Sequence, residues 1–378
     1  MGTAVCCAEP RGYKSNNLHL YQMNRYYSES ESTLNKDIMN PITNLYEPPL
    51  KTTETNNLEQ KHLNSSLSEQ ESKINLSHSV PPLKRKKFLK NEKGEFNLIS
   101  YDIEEERLAS FKVIFPVIKT IEGLSELSIK SNFYLCGICP KQKNEGSYLF
   151  QVNLDSISGG EVLNAQILIN SQYQHVYPSL IADKLGQIIC VGGKGQTQCE
   201  LYNSKLNKWY ILPQLQEERY KCTLCIDPKD IFVYLFGGIN TKNKKNENNN
   251  QDNNYRVLRM DLIKQLVWEN LVIKCDSKNI MINRYSCGSF IFKNDEDFIF
   301  LVGGEDSDHK YYGDIIRFSI NKLRFESTGA NLNAKTIFTQ QYGILNDAQS
   351  YYFIDYLNQI HIIDRHDCLP MDYLHIDV

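Results

Sequence analysis

Between Ile188 and Cys225 the chain reads IICVGGKGQTQCELYNSKLNKWYILPQLQEERYKCTLC, a stretch whose residue types suggest two different chemistries. Gly192, Gly193, Lys194 and Gly195 have the composition of a phosphate cradle. Such a loop needs G-x-x-x-x-G-K-[ST] opening into a helix whose N-terminus faces the phosphate. Here Lys194 is followed by Gly195, and the continuation CELYNS is strand-like. The glycine pair also recurs at Gly237-Gly238 and Gly303-Gly304 with no lysine after it. A repeated backbone device explains all three pairs, and a nucleotide site explains one. The second chemistry is thiolate ligation of zinc by Cys136-x-x-Cys139 and Cys222-x-x-Cys225. Residues i and i+3 of a strand point to opposite faces, so Cys222 and Cys225 are expected to be buried small apolar groups.

Other polar clusters are weaker. GEDSDHK, Gly304–Lys310, lacks the spacing of a calcium loop and reads as a solvated turn. His175, His309, His361, His366 and His375 are scattered along the chain and form no catalytic constellation. No catalytic residue, metal or cofactor is expected.

The elements that carry these residues follow from composition. The chain has 378 residues, 41% of them apolar, with 23 Tyr and 16 Phe, enough for a sizeable core. A formal net charge of -3 offers no global basic field, so no nucleic-acid partner is expected. The 11 cysteines form no short, dense framework, and MGTAVCCAEPRGYK lacks the apolar core of a signal peptide. Apolar runs such as Ile231–Phe236 are far too short to span a membrane. The reading is a reduced, cytoplasmic protein.

Residues 1–85 are rich in Ser, Asn, Glu, Gln, Lys and Thr, and are expected to be disordered. They end in a basic run that includes Lys84, Arg85, Lys86, Lys87 and Lys90. From Phe96 onward, short apolar runs alternate with polar turns, and no helical period persists; residues 86–378 are therefore read as one all-β domain. An Asn/Lys-rich insertion, Thr241–Asn254, reads as a solvated hairpin extension.

The all-β region repeats. IICVGG, FVYLFGG and FIFLVGG end at Gly193, Gly238 and Gly304, and a degenerate copy, FYLCGI, ends at Ile138. The intervals are 55, 45 and 66 residues. After each run comes an aromatic residue, then a bulky one seven places on: Tyr202 with Trp209, Phe318 with Phe325, and Tyr101 with Leu108. Met260 and Trp268 are one place further apart. A third marker, RYKC at Arg219–Cys222 and RYSC at Arg284–Cys287, precedes two of the glycine pairs. A blade-sized unit cannot bury both its faces alone and must stack on neighbours.

Together these markers resemble the kelch repeat, from about residue 85 to the C-terminus. The resemblance implies a six-bladed kelch-type β-propeller with an incomplete first blade. In the family, the strand after the arginine is innermost, the glycine-pair strand second, the tyrosine strand third and the tryptophan strand outermost. Second strands are then expected near Phe133, Ile188, Phe232, Phe298 and Tyr351, with Phe96–Val113 supplying the third and fourth strands of the opening blade. KKFLK would be its second strand, and closure would draw on N-terminal sequence. Arg219 and Arg284 would lie on one rim, where the family binds partners.

The function implied is a non-catalytic, monomeric platform for a protein partner. An enzyme with its site in the axial channel and a substrate adaptor of a ubiquitin ligase are the alternatives. Gly2, Cys6 and Cys7 add a lipidation reading: myristate on Gly2, palmitate on the cysteines, and inner-leaflet association reinforced by the basic run. Cys6 stands where the myristoylation pattern prefers Ser or Thr.

Overall fold

The computed structural model describes residues 84–375, with breaks at 91–94, 103–106, 117–120, 130, 141–145, 155–161, 241–256, 264–266, 276–283, 292–296, 333–334, 339–343, 347–349, 355–358 and 365–369. Gly2, Cys6, Cys7, His366 and the Asn/Lys-rich insertion lie outside the described residues.

The described chain is all-β, arranged as successive sheets. Sheet one contains β1 (Lys84–Lys90), β2 (Phe96–Asp102) and β3 (Arg107–Ile114). Sheet two contains β4 (Glu122–Ile129), β5 (Asn132–Ile138) and β6 (Tyr148–Asn153). Two short strands, β7 (Val162–Asn164) and β8 (Gln166–Ile167), extend β3 and β6 respectively. Sheet three is β9 (Ser179–Ala182), β10 (Ile188–Gly193), β11 (Gln196–Asn203) and β12 (Lys208–Leu212). Sheet four is β13 (Thr223–Ile226), β14 (Phe232–Phe236), β15 (Val257–Asp261) and β16 (Trp268–Leu271). A two-residue strand, β17 (Lys274–Cys275), joins the outer edge of sheet five. The rest of that sheet is β18 (Gly288–Phe290), β19 (Phe298–Val302), β20 (Asp314–Ser319) and β21 (Arg324–Asn331). Sheet six is β22 (Ile344–Asn346), β23 (Ser350–Ile354), β24 (Gln359–Asp364) and β25 (Pro370–His375). Pairing is antiparallel throughout these sheets except for β3 with β7 and β17 with β21.

Apolar layers lie between consecutive sheets. Ile181, Ile189 and Val191 of sheet three meet Leu224, Val233 and Met260 of sheet four. Tyr234 and Phe236 of sheet four meet Ile299 and Phe318 of sheet five. Corresponding layers join sheets one and two, two and three, and five and six. A sheet covered on both faces needs apolar side chains on both, which is why IICV and FIFLV do not alternate. First strands of neighbouring sheets touch, β4 on β9, β9 on β13 and β13 on β18, while β1 lies against both β4 and β23. This arrangement is consistent with a β-propeller-like fold.

The residue pairs seven or eight apart are cross-strand partners. Tyr202 faces Trp209, Met260 faces Trp268, Phe318 faces Phe325, and Tyr101 faces Leu108. Opposed residues on one face of an antiparallel pair are the unit of sheet stabilisation. The Tyr202 and Trp209 rings lie 5.2 Å apart and pack towards sheet two, and the Trp209 indole N–H donates to Ile169 O at 2.8 Å. Trp268 donates likewise to Pro213 O at 3.0 Å. These aromatics are joints between sheets.

Candidate functional site

The glycine-pair ends of sheets three, four and five form a repeated rim. After β14 the chain reaches Gly237 and Gly238 with φ of +60° and +94°; after β19, Gly303 and Gly304 follow with +63° and +100°. Such angles favour glycine, which adopts them without a Cβ penalty. The fit is also steric. A Cβ on Gly237 would stand 1.7 Å from Arg284 O of the next sheet's motif, and one on Gly303 would stand 2.7 Å from Thr336 O. A Cβ on Gly238 or Gly304 would instead strike the Sγ of Cys222 or Cys287, at 2.2 and 2.6 Å.

The Arg-Tyr-x-Cys segments are the other half of this joint. Arg219 Nη1 donates to Gly237 O at 3.1 Å, and Arg284 Nη1 donates to Gly303 O at 3.2 Å. The Cys222 and Cys287 thiols donate to the same two carbonyls, each at 3.4 Å. Tyr220 bridges to Ile239 and Tyr285 to Glu305 through the backbone. The third residue of each segment, Lys221 or Ser286, is left-handed, with φ of +62° and +56°.

The arginines were expected to face a partner. In the structure Arg219 is 6% exposed and Arg284 3%, so both side chains sit inside the fold. Arg284 also makes a two-pronged contact with Asp314, at 2.7 and 2.6 Å, and lies over the Tyr312 ring at 4.3 Å. A planar guanidinium suits this forked, stacked role better than lysine. Arg284→Ala is expected to cost roughly 3 kcal/mol by stranding its acceptors, read as a lower urea midpoint; an unchanged midpoint would restore a surface role.

Sequence reasoning missed a third copy. His175 stands in sheet three where Arg219 and Arg284 stand in theirs, and Tyr177, two places on, is left-handed at φ +57°. Its Nδ1 meets Gly192 O, and its Nε2 meets Glu200 Oε2 at 2.7 Å; both residues are fully buried. Both ring nitrogens are thus engaged, one by a main-chain carbonyl and one by a carboxylate. Glu200 also accepts the N–H groups of Gln172 and Tyr173, at 2.8 and 3.2 Å. The only sequence signal was position: seven residues separate His175 from Ala182, as seven separate Arg219 from Ile226 in the same register.

The motifs link sheet to sheet through the backbone. Tyr177 N–H donates to Gly123 O at 2.8 Å, Ser286 N–H to Lys221 O at 2.9 Å, and Phe338 N–H to Ser286 O at 3.0 Å. Just inside, the Ser179 hydroxyl donates to Cys222 O at 3.1 Å and that of Thr223 to Cys287 O at 3.0 Å.

Above this joint the surface is polar. Lys221 pairs with the buried carboxylate of Glu305 and lies 4.7 Å from the Tyr285 ring centre. His309 Nδ1 meets Glu305 at 3.2 Å with its side chain largely exposed. In the turn read as GEDSDHK, Asp306 is an internal brace. Burial alone would raise its pKa, but bonds from Tyr312 and from the Lys310 and Asp308 N–H groups hold it below the usual carboxylate range. Tyr312 is pushed up to about 12 by burial and by that same bond. Lys194 caps the tight turn between β10 and β11 in solvent. No helix follows it, so nothing there builds a phosphate site.

Cys222 packs in the layer between sheets three and four, and Cys225 in the layer between sheets four and five. The two thiols therefore point to opposite faces and do not share a ligand. Burial pushes the Cys287 thiol up to about 12, away from nucleophilic use. Among the described residues, no group of three or more His, Cys, Asp or Glu side chains could hold a metal ion. No family model and no curated protein matches the chain.

Proposed function

We propose that the chain is a six-bladed kelch-type β-propeller that serves as a non-catalytic platform for a protein partner. One observation carries this reading. The repeated arginine, histidine, tyrosine and glycine groups are spent inside the rim, so the loops beyond them stand on a rigid base with other side chains presented. Lys194 follows the glycine pair of sheet three, and Asp308, His309 and Lys310 follow that of sheet five; all four are exposed. Loops on a rigid scaffold are where binding residues concentrate. The cross-strand pairs and the rim motif in sheets three to five support the kelch type. Six sheets among the described residues, with β1 against both β4 and β23, support six blades.

The test is Lys194→Glu with Lys310→Glu in the full-length protein, followed by quantitative mass spectrometry of affinity-purified material. The expected result is an unchanged melting curve with at least a tenfold loss of one or more wild-type partners, since reversed charges at a rim suppress association. An unchanged partner set would refute this rim as the platform.

A membrane tether belongs to the same proposal and rests on Gly2, Cys6, Cys7 and the basic run Lys84–Lys90. Alkynyl-myristate labelling of wild type, absent in Gly2→Ala, is the expected outcome; an unlabelled wild type removes the tether and leaves the platform.

A further inference from the structure

In sheets three, four and five, the strand that follows the rim motif pairs with the glycine-pair strand: β9 with β10, β13 with β14, β18 with β19. Sheet one departs from this order. The cross-strand pair Tyr101–Leu108 lies on β2 and β3, where the other sheets carry it on their third and fourth strands. By that alignment β1 is a second strand. It lies against β23, itself second in sheet six. β7 then stands outside β3 as β17 stands outside β21, each of them parallel. Among the described residues, the edge of β1 away from β2 carries no paired strand, although sheets two to six each have one at this place.

Register fixes what belongs there. Ile188, Val233 and Ile299 face the marker residues Tyr202, Met260 and Phe318, and four places on come Gly192, Gly237 and Gly303. In sheet one Arg85 faces Tyr101, so the acceptor carbonyl falls at Leu89. A donor motif is required beside Leu89 and Lys90. The chain contains the dipeptide Arg-Tyr three times. Two copies are the rim motifs of sheets four and five. The third is Arg25-Tyr26, within Asn24-Arg25-Tyr26-Tyr27-Ser28, which matches Asn283-Arg284-Tyr285-Ser286-Cys287 with hydroxyl for thiol.

We propose that Arg25–Ser28 is the rim motif of sheet one and docks along the edge of β1 away from β2, beside the end of that strand. Arg25 donates to Leu89 O, as Arg219 and Arg284 donate to their glycine carbonyls, and Ser28 takes the place of Cys222 and Cys287. The long connection back to β1 is no obstacle, because closure entropy grows only with the logarithm of loop length. An exposed sheet edge is otherwise a template for unwanted pairing, so seating the chain's own segment there also protects the fold. This inference rests on the sheet-by-sheet repeat and not on the identity of any partner.

The test is a cysteine pair. In sheets four and five the Cys222 and Cys287 sulfurs lie next to the position of a Cβ on Gly238 or Gly304. The equivalents in sheet one are Ser28 and Lys90. Full-length Ser28→Cys/Lys90→Cys is treated with oxidised glutathione; the two thiols become one disulfide as glutathione disulfide is reduced to two thiols. Peptide mapping is expected to recover the 28–90 cross-link at least tenfold above a Ser15→Cys/Lys90→Cys control. In parallel, Arg25→Ala is expected to speed amide exchange in Lys84–Lys90 at least tenfold while β13–β16 stay protected. A cross-link at control level together with unchanged exchange in β1 overturns the proposal. Loss of protection across sheets three to five in the wild type would instead overturn the repeat architecture.

Discussion

Gly237→Ala is expected to leave little folded protein. Its φ of +60° costs a non-glycine residue about 2 kcal/mol. The added Cβ would stand 1.7 Å from Arg284 O, a main-chain atom held by the next sheet's motif, and this oxygen cannot swing aside as a side chain would. Overpacking of that kind costs about 3 kcal/mol or more. The total, about 5 kcal/mol, reaches the lower end of typical domain stability. Gly195→Ala is the control: its φ is +77°, but no atom lies within 4 Å of the place its new Cβ would take. It should cost only the backbone term, about 1–2 kcal/mol. Urea titrations followed by tryptophan fluorescence distinguish the two, and equal midpoints would show that the clash with Arg284 is relieved by movement.

His175→Leu is expected to cost about 3–5 kcal/mol, because it leaves the buried Glu200 side chain without its imidazole partner. Adding Glu200→Leu should recover part of the loss by removing the stranded side chain, though not all of it. Gln172 and Tyr173 then lose the acceptor of their N–H groups. A double mutant less stable than His175→Leu would show that Glu200 matters more to those loop amides than to the imidazole.

How far the sequence could be read depended on whether the controlling interaction was local. Tyr202 and Trp209 could be recognised because a residue and its cross-strand partner in a short hairpin are a fixed distance apart along the chain. The opposite placement of Cys222 and Cys225 followed from the two-residue period of a strand. The roles of Arg219 and Arg284 were not legible. Their acceptors are carbonyls 18 and 19 residues away, and an arginine before a strand reads equally well as surface or joint. His175 was harder still, since an imidazole with a carboxylate 25 residues on replaces a guanidinium. β7 and β17 are too short to leave any pattern.

One set of links that runs from sheet to sheet along the rim is made of main-chain atoms alone. Gly123, Tyr177, Lys221 and Ser286 occupy corresponding places with no side-chain chemistry in common; what they share is a left-handed dihedral angle. Selection at such a joint acts on conformation and is nearly blind to identity, provided that β-branched residues and proline stay away. A lineage can therefore rewrite the letters at these places one after another and keep the joint intact. Kinship among chains built this way should fade from their sequences well before it fades from their architecture.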